Sequence, residues 1–222
     1  MRRAVRLSLI SLLALFLLTA GGVVWLTMSE SGLQTALRLV SAFSGERLES
    51  VGASGRLAGP LAIEKLRWAD GDLRIEIEQL RLDWSPAALW ENRLQIDRVA
   101  CAKLAIISQP SATPPTPPPS LLLPLAVAID DLAIARIDYN ALITLSEVSG
   151  RLASDGRQHR LDAWRAVSGD SVLQAAATVD GAAPPALTAQ GEIASRLAGQ
   201  PVALGFAVSG PLEKMALRVD GK

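Results

Sequence analysis

The sequence predicts a mainly β protein: an N-terminal transmembrane helix, a short amphipathic helix, and then a body of long, one-sided strands kinked in their middles. Three observations carry this. An eight-residue pattern, apolar-x-apolar-x-x-apolar-x-apolar, recurs along the chain. Residues 7–29 carry no charge at all. Helical periodicity is confined to one stretch just after them.

The uncharged run is long enough to cross a bilayer core, since ~20 residues rising ~1.5 Å each span ~30 Å. Arg2, Arg3 and Arg6 precede it and Glu30 is the first charge after it. By the positive-inside rule, the N-terminus is cytoplasmic and the rest lies across the inner membrane, in the periplasm. A cleaved signal peptide is the alternative, with Ala20-Gly21-Gly22 as the cleavage site; the apolar run through Leu26 favours a retained anchor.

Residues 31–43 form the amphipathic helix, with Leu33, Ala36, Leu37, Val40 and Phe43 on one stripe. Ser29 or Ser31 caps its start and Gly45 stops it. Its polar face is poor in Lys and Arg, so the expectation is a helix that packs against one end of a sheet. Gly52, Gly55 and Gly59 follow without the Lys-Ser/Thr of a phosphate loop, which leaves turn and the start of a strand.

The repeated pattern then begins. Its copies are Leu61, Ile63, Leu66, Trp68; Ile75, Ile77, Leu80, Leu82; Leu94, Ile96, Val99, Cys101; and Val127, Ile129, Leu132, Ile134. A weaker copy is Ile143, Leu145, Val148, Gly150. Alternation is the period of a half-buried strand. The doubled polar pair in the middle, such as Glu78-Gln79 or Asp130-Asp131, reverses the phase, and a β-bulge restores the greasy face while bending the strand. None of these pairs contains Gly, so a bent strand fits better than a tight hairpin.

Between copies, Ser85-Pro86 carries a helix-start signature with Ser85 as N-cap. Residues 109–119 hold six prolines in a spacer that is neither ladder nor helix. Later strands are richer in Ala and Gly: Val202, Leu204, Phe206 and Val208 alternate, then Met215, Leu217 and Val219. The last strand has nothing to cover its edge, so the sequence reads as the start of something longer.

Lys plus Arg equals Asp plus Glu at 22 each, so no basic field recruits nucleic acid. Cys101 is the only cysteine, sits in an apolar slot, and reads as a buried small residue. His159, the only histidine, lies in a polar run and reads as a surface loop residue. There is no Cys/His cluster for a metal, no Gly-x-Ser-x-Gly elbow and no Walker loop, so neither an enzyme nor a cofactor is expected. The greasy strand faces need cover: another sheet, their own curl, or lipid chains. A closed sandwich with an ordinary core and an open trough both satisfy the pattern.

The order of these features resembles the N-terminal region of the TamB family, related to AsmA-like proteins. The likeness runs from the anchor with Ser31-Gly32-Leu33 through residues 55–68 (Gly55-Arg-Leu-Ala-Gly-Pro-Leu to Trp68) and Leu80-Arg-Leu-Asp-Trp84. It continues through Leu89-Trp90, Leu94 to Val99, the Pro-rich insertion, and the turn Ser209-Gly-Pro-Leu212.

The resemblance implies an open, curved, taco-like β-groove, anchored in the bacterial inner membrane. It implies phospholipid acyl chains as cargo, lined by Leu61, Ile63, Leu66, Ile75, Ile77, Leu80, Leu82, Leu94, Ile96, Val99, Val127, Ile129, Leu132 and Ile134. It also implies a role in outer-membrane protein assembly or secretion with a barrel partner of the TamA type, met through a C-terminal domain that has no counterpart here. The expected organisation is anchor 1–29, capping helix 30–45, first groove segment 50–108, Pro-rich loop 109–124 and second, incomplete groove segment 125–222.

Overall fold

The computed structural model describes residues 19, 21–45, 47–109, 120–197 and 200–221. Most of the uncharged stretch, its preceding arginines and prolines 110–119 lie outside these. Among the described residues no helix is long and apolar enough to cross a membrane. Residues 21–28 are helical. They lead into α1 (Glu30–Phe43), capped by Ser29, whose hydroxyl accepts from the Gly32 amide at 2.9 Å.

Twelve strands follow and form one sheet. They are β1 (Leu48–Gly55), β2 (Leu61–Asp70), β3 (Leu73–Ser85), β4 (Arg93–Cys101), β5 (Lys103–Ser108) and β6 (Ala126–Tyr139). The rest are β7 (Ile143–Ser154), β8 (Gln158–Ser168), β9 (Ser171–Asp180), β10 (Ala186–Leu197), β11 (Gln200–Pro211) and β12 (Ala216–Gly221). Each pairs with its sequence neighbour in antiparallel fashion, except that β4 and β5, end to end, lie between β3 and β6 and meet β6 in parallel. The sequence segments on either side of the Pro-rich stretch are thus halves of one sheet.

That parallel pairing explains what the Pro-rich stretch is for. Parallel neighbours need a crossover. The Gln109 amide is bonded to the Asp72 carbonyl at one end of the strands, and the Ala126 amide to the Asn92 carbonyl at the other. Gln109 and Ala126 therefore stand at opposite ends of the strands.

The register follows from the repeated pattern, which reads the same in both directions. Antiparallel β2 and β3 place Leu61 opposite Leu82, Ile63 opposite Leu80, Leu66 opposite Ile77 and Trp68 opposite Ile75. Parallel β4 and β6 place Leu94 beside Val127, Ile96 beside Ile129, Val99 beside Leu132 and Cys101 beside Ile134. Either direction of pairing brings greasy slot to greasy slot and polar pair to polar pair. Cross-strand partners share a face. One face is therefore largely apolar, with Ser154 and His159 among its polar members, opposite Val127 and Val179.

The polar pairs line up into two creases. In the first, Gly52 lies beside Glu64, Glu64 beside Gln79, Gln79 at the β4–β5 break, and Ala135 beside Glu147, as the flanking pairs require. Gly52, Gln79 and Glu147 all take positive φ, at 67°, 54° and 50°. In the second, extra residues interrupt the ladders at Asp97, at Asp130-Asp131 and at Asp162-Ala163. The first crease keeps its one-to-one pairing and turns at these left-handed residues in place of the expected bulge, while in the second true bulges bend the strands, so the sheet folds along two parallel lines.

No second layer faces this sheet among the described residues. The accessible surface is 15300 Å², against roughly 9,700 Å² for a compact protein of 23.4 kDa.

Two helical expectations need correction. α1 does pack on β1, but only through part of its apolar stripe: Leu33 is 1% exposed, while Val40 is 50% and Phe43 88% exposed. Residues 86–91 form a 3-10 helix (Pro86–Glu91), and Ser85 makes no side-chain cap there. Its hydroxyl donates instead to Asp97 at 3.0 Å, the residue that opens the second crease.

Candidate functional site

The apolar face is the candidate site. All fourteen residues read from the sequence as its lining fall on it, because Leu82 faces Val99 and Trp84 faces Ile96, joining the two pairs of copies. Ile63 is buried and the others are half-buried. The face continues beyond them. β5 contributes Leu104 and Ile106 opposite Ile77 and Ile75, and β7 contributes Leu145, Val148 and Leu152 opposite Ile137, Ile134 and Ile129.

One row on this face is deepest. It runs Ile63, Leu80, Cys101, Ile134, Val148, Ala166, Leu173, Ile193 and Leu204, one residue from each strand from β2 to β11 except β5. Ile63, Cys101, Val148 and Ala166, exposed at 5%, 9%, 3% and 0%, are on it. With nothing stacked above the sheet, such burial comes from the sheet curling over its own residues. The row begins along the first crease, whose left-handed residues provide that curl. It is the keel of a trough, and the strands rise from it as walls. Burial pushes the Cys101 thiol above its ordinary value.

At the β1 end the floor is lowered. Ser50, Ala53 and Gly55 stand opposite Leu66, Ile63 and Leu61. A cleft of about 570 Å³ lies between α1 and β1, lined by Leu37, Arg38, Ser41, Ser50, Gly52 and Ala53 among others. Small residues there leave the trough open toward the helix.

The opposite face is charged. Arg67 bridges Glu76 at 2.9 Å and Glu49 at 3.3 Å, Arg165 meets Glu147 at 2.9 Å, and Arg98 meets Asp131 at 3.2 Å. Partial burial raises the Asp138 carboxyl pKa, but hydrogen bonds from Arg136 and Thr144 and the charges of Arg136 and Lys103 outweigh it and hold the group below the usual carboxylate range.

His159 is not a loop residue. It lies in β8, half-buried, with Nδ1 2.8 Å from the Ser154 hydroxyl and Nε2 2.8 Å from the Leu121 carbonyl, to which it donates. The polar run that suggested a loop is split: Asp155–Arg157 turns, and Gln158 begins the strand. Residues 120–123 are clasped to that turn, with the Leu121 amide bonded to the Gly181 carbonyl and the Leu123 amide to that of Gly156. Asp155 accepts the Gln158 and Arg157 amides, and these bonds hold its carboxyl below the ordinary range.

Chemically, the face offers mainly aliphatic contact, with Trp68, Trp84 and Cys101 among its apolar slots and Ser154 and His159 at one end. Among the described residues no group of His, Cys, Asp and Glu is placed to hold a metal. Its slots suit chains of methylenes, not a polar small molecule. Sequence reading missed β8 and β9, and with them Ala166 and Leu173; the alternation is there in Leu161, Trp164, Ala166, but alanine and glycine blur it.

The family model described as "TamB, N-terminal domain" matches residues 19–192. Comparisons with curated proteins and with solved structures give no match.

Proposed function

The chain belongs to the TamB N-terminal domain family, and from that premise we propose that its trough conducts phospholipid from the inner membrane toward the outer membrane. The single observation that carries this is the largely apolar face of a one-layer sheet, deepest along its keel and uncovered among the described residues. A soluble protein does not leave so much apolar surface without an occupant, and acyl chains are the occupant that asks for no polar partner. In this reading the protein binds and guides rather than catalyses. Its N-terminal stretch holds it in the inner membrane with the strands in the periplasm. It supports outer-membrane protein assembly or secretion together with a barrel of the TamA type.

Site-specific photo-crosslinking in cells tests this. A photo-reactive residue at Ile77 or Ile129 is expected to capture phospholipid, while one at Glu76, on the charged face, is not. Crosslinks from Ile77 and Ile129 to protein alone would overturn the proposal.

A further inference from the structure

The apolar arc of α1 is wider than its contact with the sheet. α1 packs on β1, with Leu33 buried and Leu37 half-buried. Ala36, Leu39, Val40 and Phe43 continue the arc around the helix, and Leu39, Val40 and Phe43 are exposed at 48%, 50% and 88%. An exposed apolar stripe of this kind marks a surface that something else covers. We propose that this exposed stripe is seated in the surface of a lipid bilayer, so that α1 is a plate between the membrane and the first strand of the trough.

Three features favour lipid over a protein partner. Residues 21–28 continue directly into α1 through Ser29, and they too expose apolar side chains: Val23 60%, Val24 59%, Trp25 50%, Met28 51%. The sequence before them is uncharged back to Leu7. The chain bends between the two helices, because a Cβ at Gly32 would collide with the Leu26 backbone; a bend there suits one segment entering a bilayer and the next lying on it. Aromatic residues at both ends, Trp25 and Phe43, match the interfacial preference of such rings.

The consequence is positional. With α1 on the bilayer, the β1 end of the trough, with its lowered floor at Ser50 and Ala53 and the cleft beside α1, is the end nearest the lipid, and that is where chains pass into the trough. This rests on the conduit reading for its purpose, but not for its test.

The test places nitroxides on the full chain, in a Cys101→Ser background, reconstituted in vesicles of phosphatidylethanolamine and phosphatidylglycerol. Labels go at Val40→Cys and Phe43→Cys, both exposed and so replaceable without loss of packing. Leu142→Cys, 83% exposed in the β6–β7 turn, is the aqueous reference. The ratio of collisions with oxygen to collisions with a water-soluble nickel chelate is expected to be several-fold higher at 40 and 43 than at 142. Equal ratios would overturn the proposal. So would shielding of 40 and 43 from both reagents, which would mean that protein, from this chain or a second copy, covers the stripe. If 40 and 43 are in lipid but Ile77 captures none, the seat stands and the conduit falls. Lipid at Ile77 with water at 40 and 43 gives the reverse.

Discussion

Val148 stands opposite Ile134 in the β6–β7 ladder and is 3% exposed, in a sheet that has no layer stacked upon it. The keel is therefore where this protein stores its stability. Replacing Val148 by Asp buries a carboxylate without a partner and is expected to cost several kcal/mol. Ile77→Asp, half-buried on the wall, is expected to leave the chain folded while abolishing lipid capture. Denaturant titration of the two variants checks this; similar losses would deny the keel its special place.

Cys101 lies on the keel with its thiol pKa raised by burial. Thiolate is the reactive form, so the native protein is expected to resist maleimide at neutral pH and to react once denatured. Rapid labelling of the native chain would show that the keel is open to solvent.

Gly191 and Gly205 make a paired comparison. A Cβ at Gly191 would strike the Phe206 ring and the Gln174 carbonyl, whereas at Gly205 the nearest atom, the Asp220 carbonyl oxygen, is 3.6 Å away. Gly191→Ala is expected to cost roughly 1–3 kcal/mol by forcing the ring aside, and Gly205→Ala almost nothing. Thermal unfolding of both proteins decides it.

The Asp155 turn responds to acid in a defined direction. Its carboxyl is held below the ordinary value by the Gln158 and Arg157 amides. The stability it contributes is thus present above the unfolded value near ~4 and is lost only as pH falls through the lower, folded value. Amide shifts of Arg157 and Gln158 should titrate with a midpoint below that of a free Asp. A midpoint at or above it would contradict the turn geometry.

Arg98 and Asp131 bridge at 3.2 Å, but their side chains are 63% and 54% exposed. Exposed pairs contribute ~0–1 kcal/mol, so Arg98→Ala is expected to leave stability within that range. A larger loss in a double-mutant cycle with Asp131→Ala would mean that this pair, and not the greasy slots, sets the β4–β6 register.

Much of this architecture was legible because a strand announces itself locally. The copies at Leu61–Trp68, Ile75–Leu82, Leu94–Cys101 and Val127–Ile134 name their own greasy face, and doubled polar slots such as Glu78-Gln79 and Asp130-Asp131 name the bends. What alternation does not carry is partnership. That β4 meets β6 in parallel depends on a crossover whose prolines only signal that they are not ladder. That Ile63, Cys101, Val148 and Ala166 are deeper than their neighbours depends on creases from different strands falling into line. His159 misled because a charged turn and the first residues of a strand look alike in composition. For α1, a stripe at helical spacing shows that something covers it, but not what: Leu33 found a strand and Phe43 did not.

The two-way symmetry of the repeated pattern has an evolutionary corollary. A unit that presents the same face whichever way it runs can be copied to any place along the sheet, in either orientation, and still join its neighbours slot to slot. Gene duplication then lengthens the structure without having to invent a new pairing rule, and each added strand extends it by ~4.8 Å. Length becomes a trait that selection can adjust in small increments, while the cross-section stays as it was.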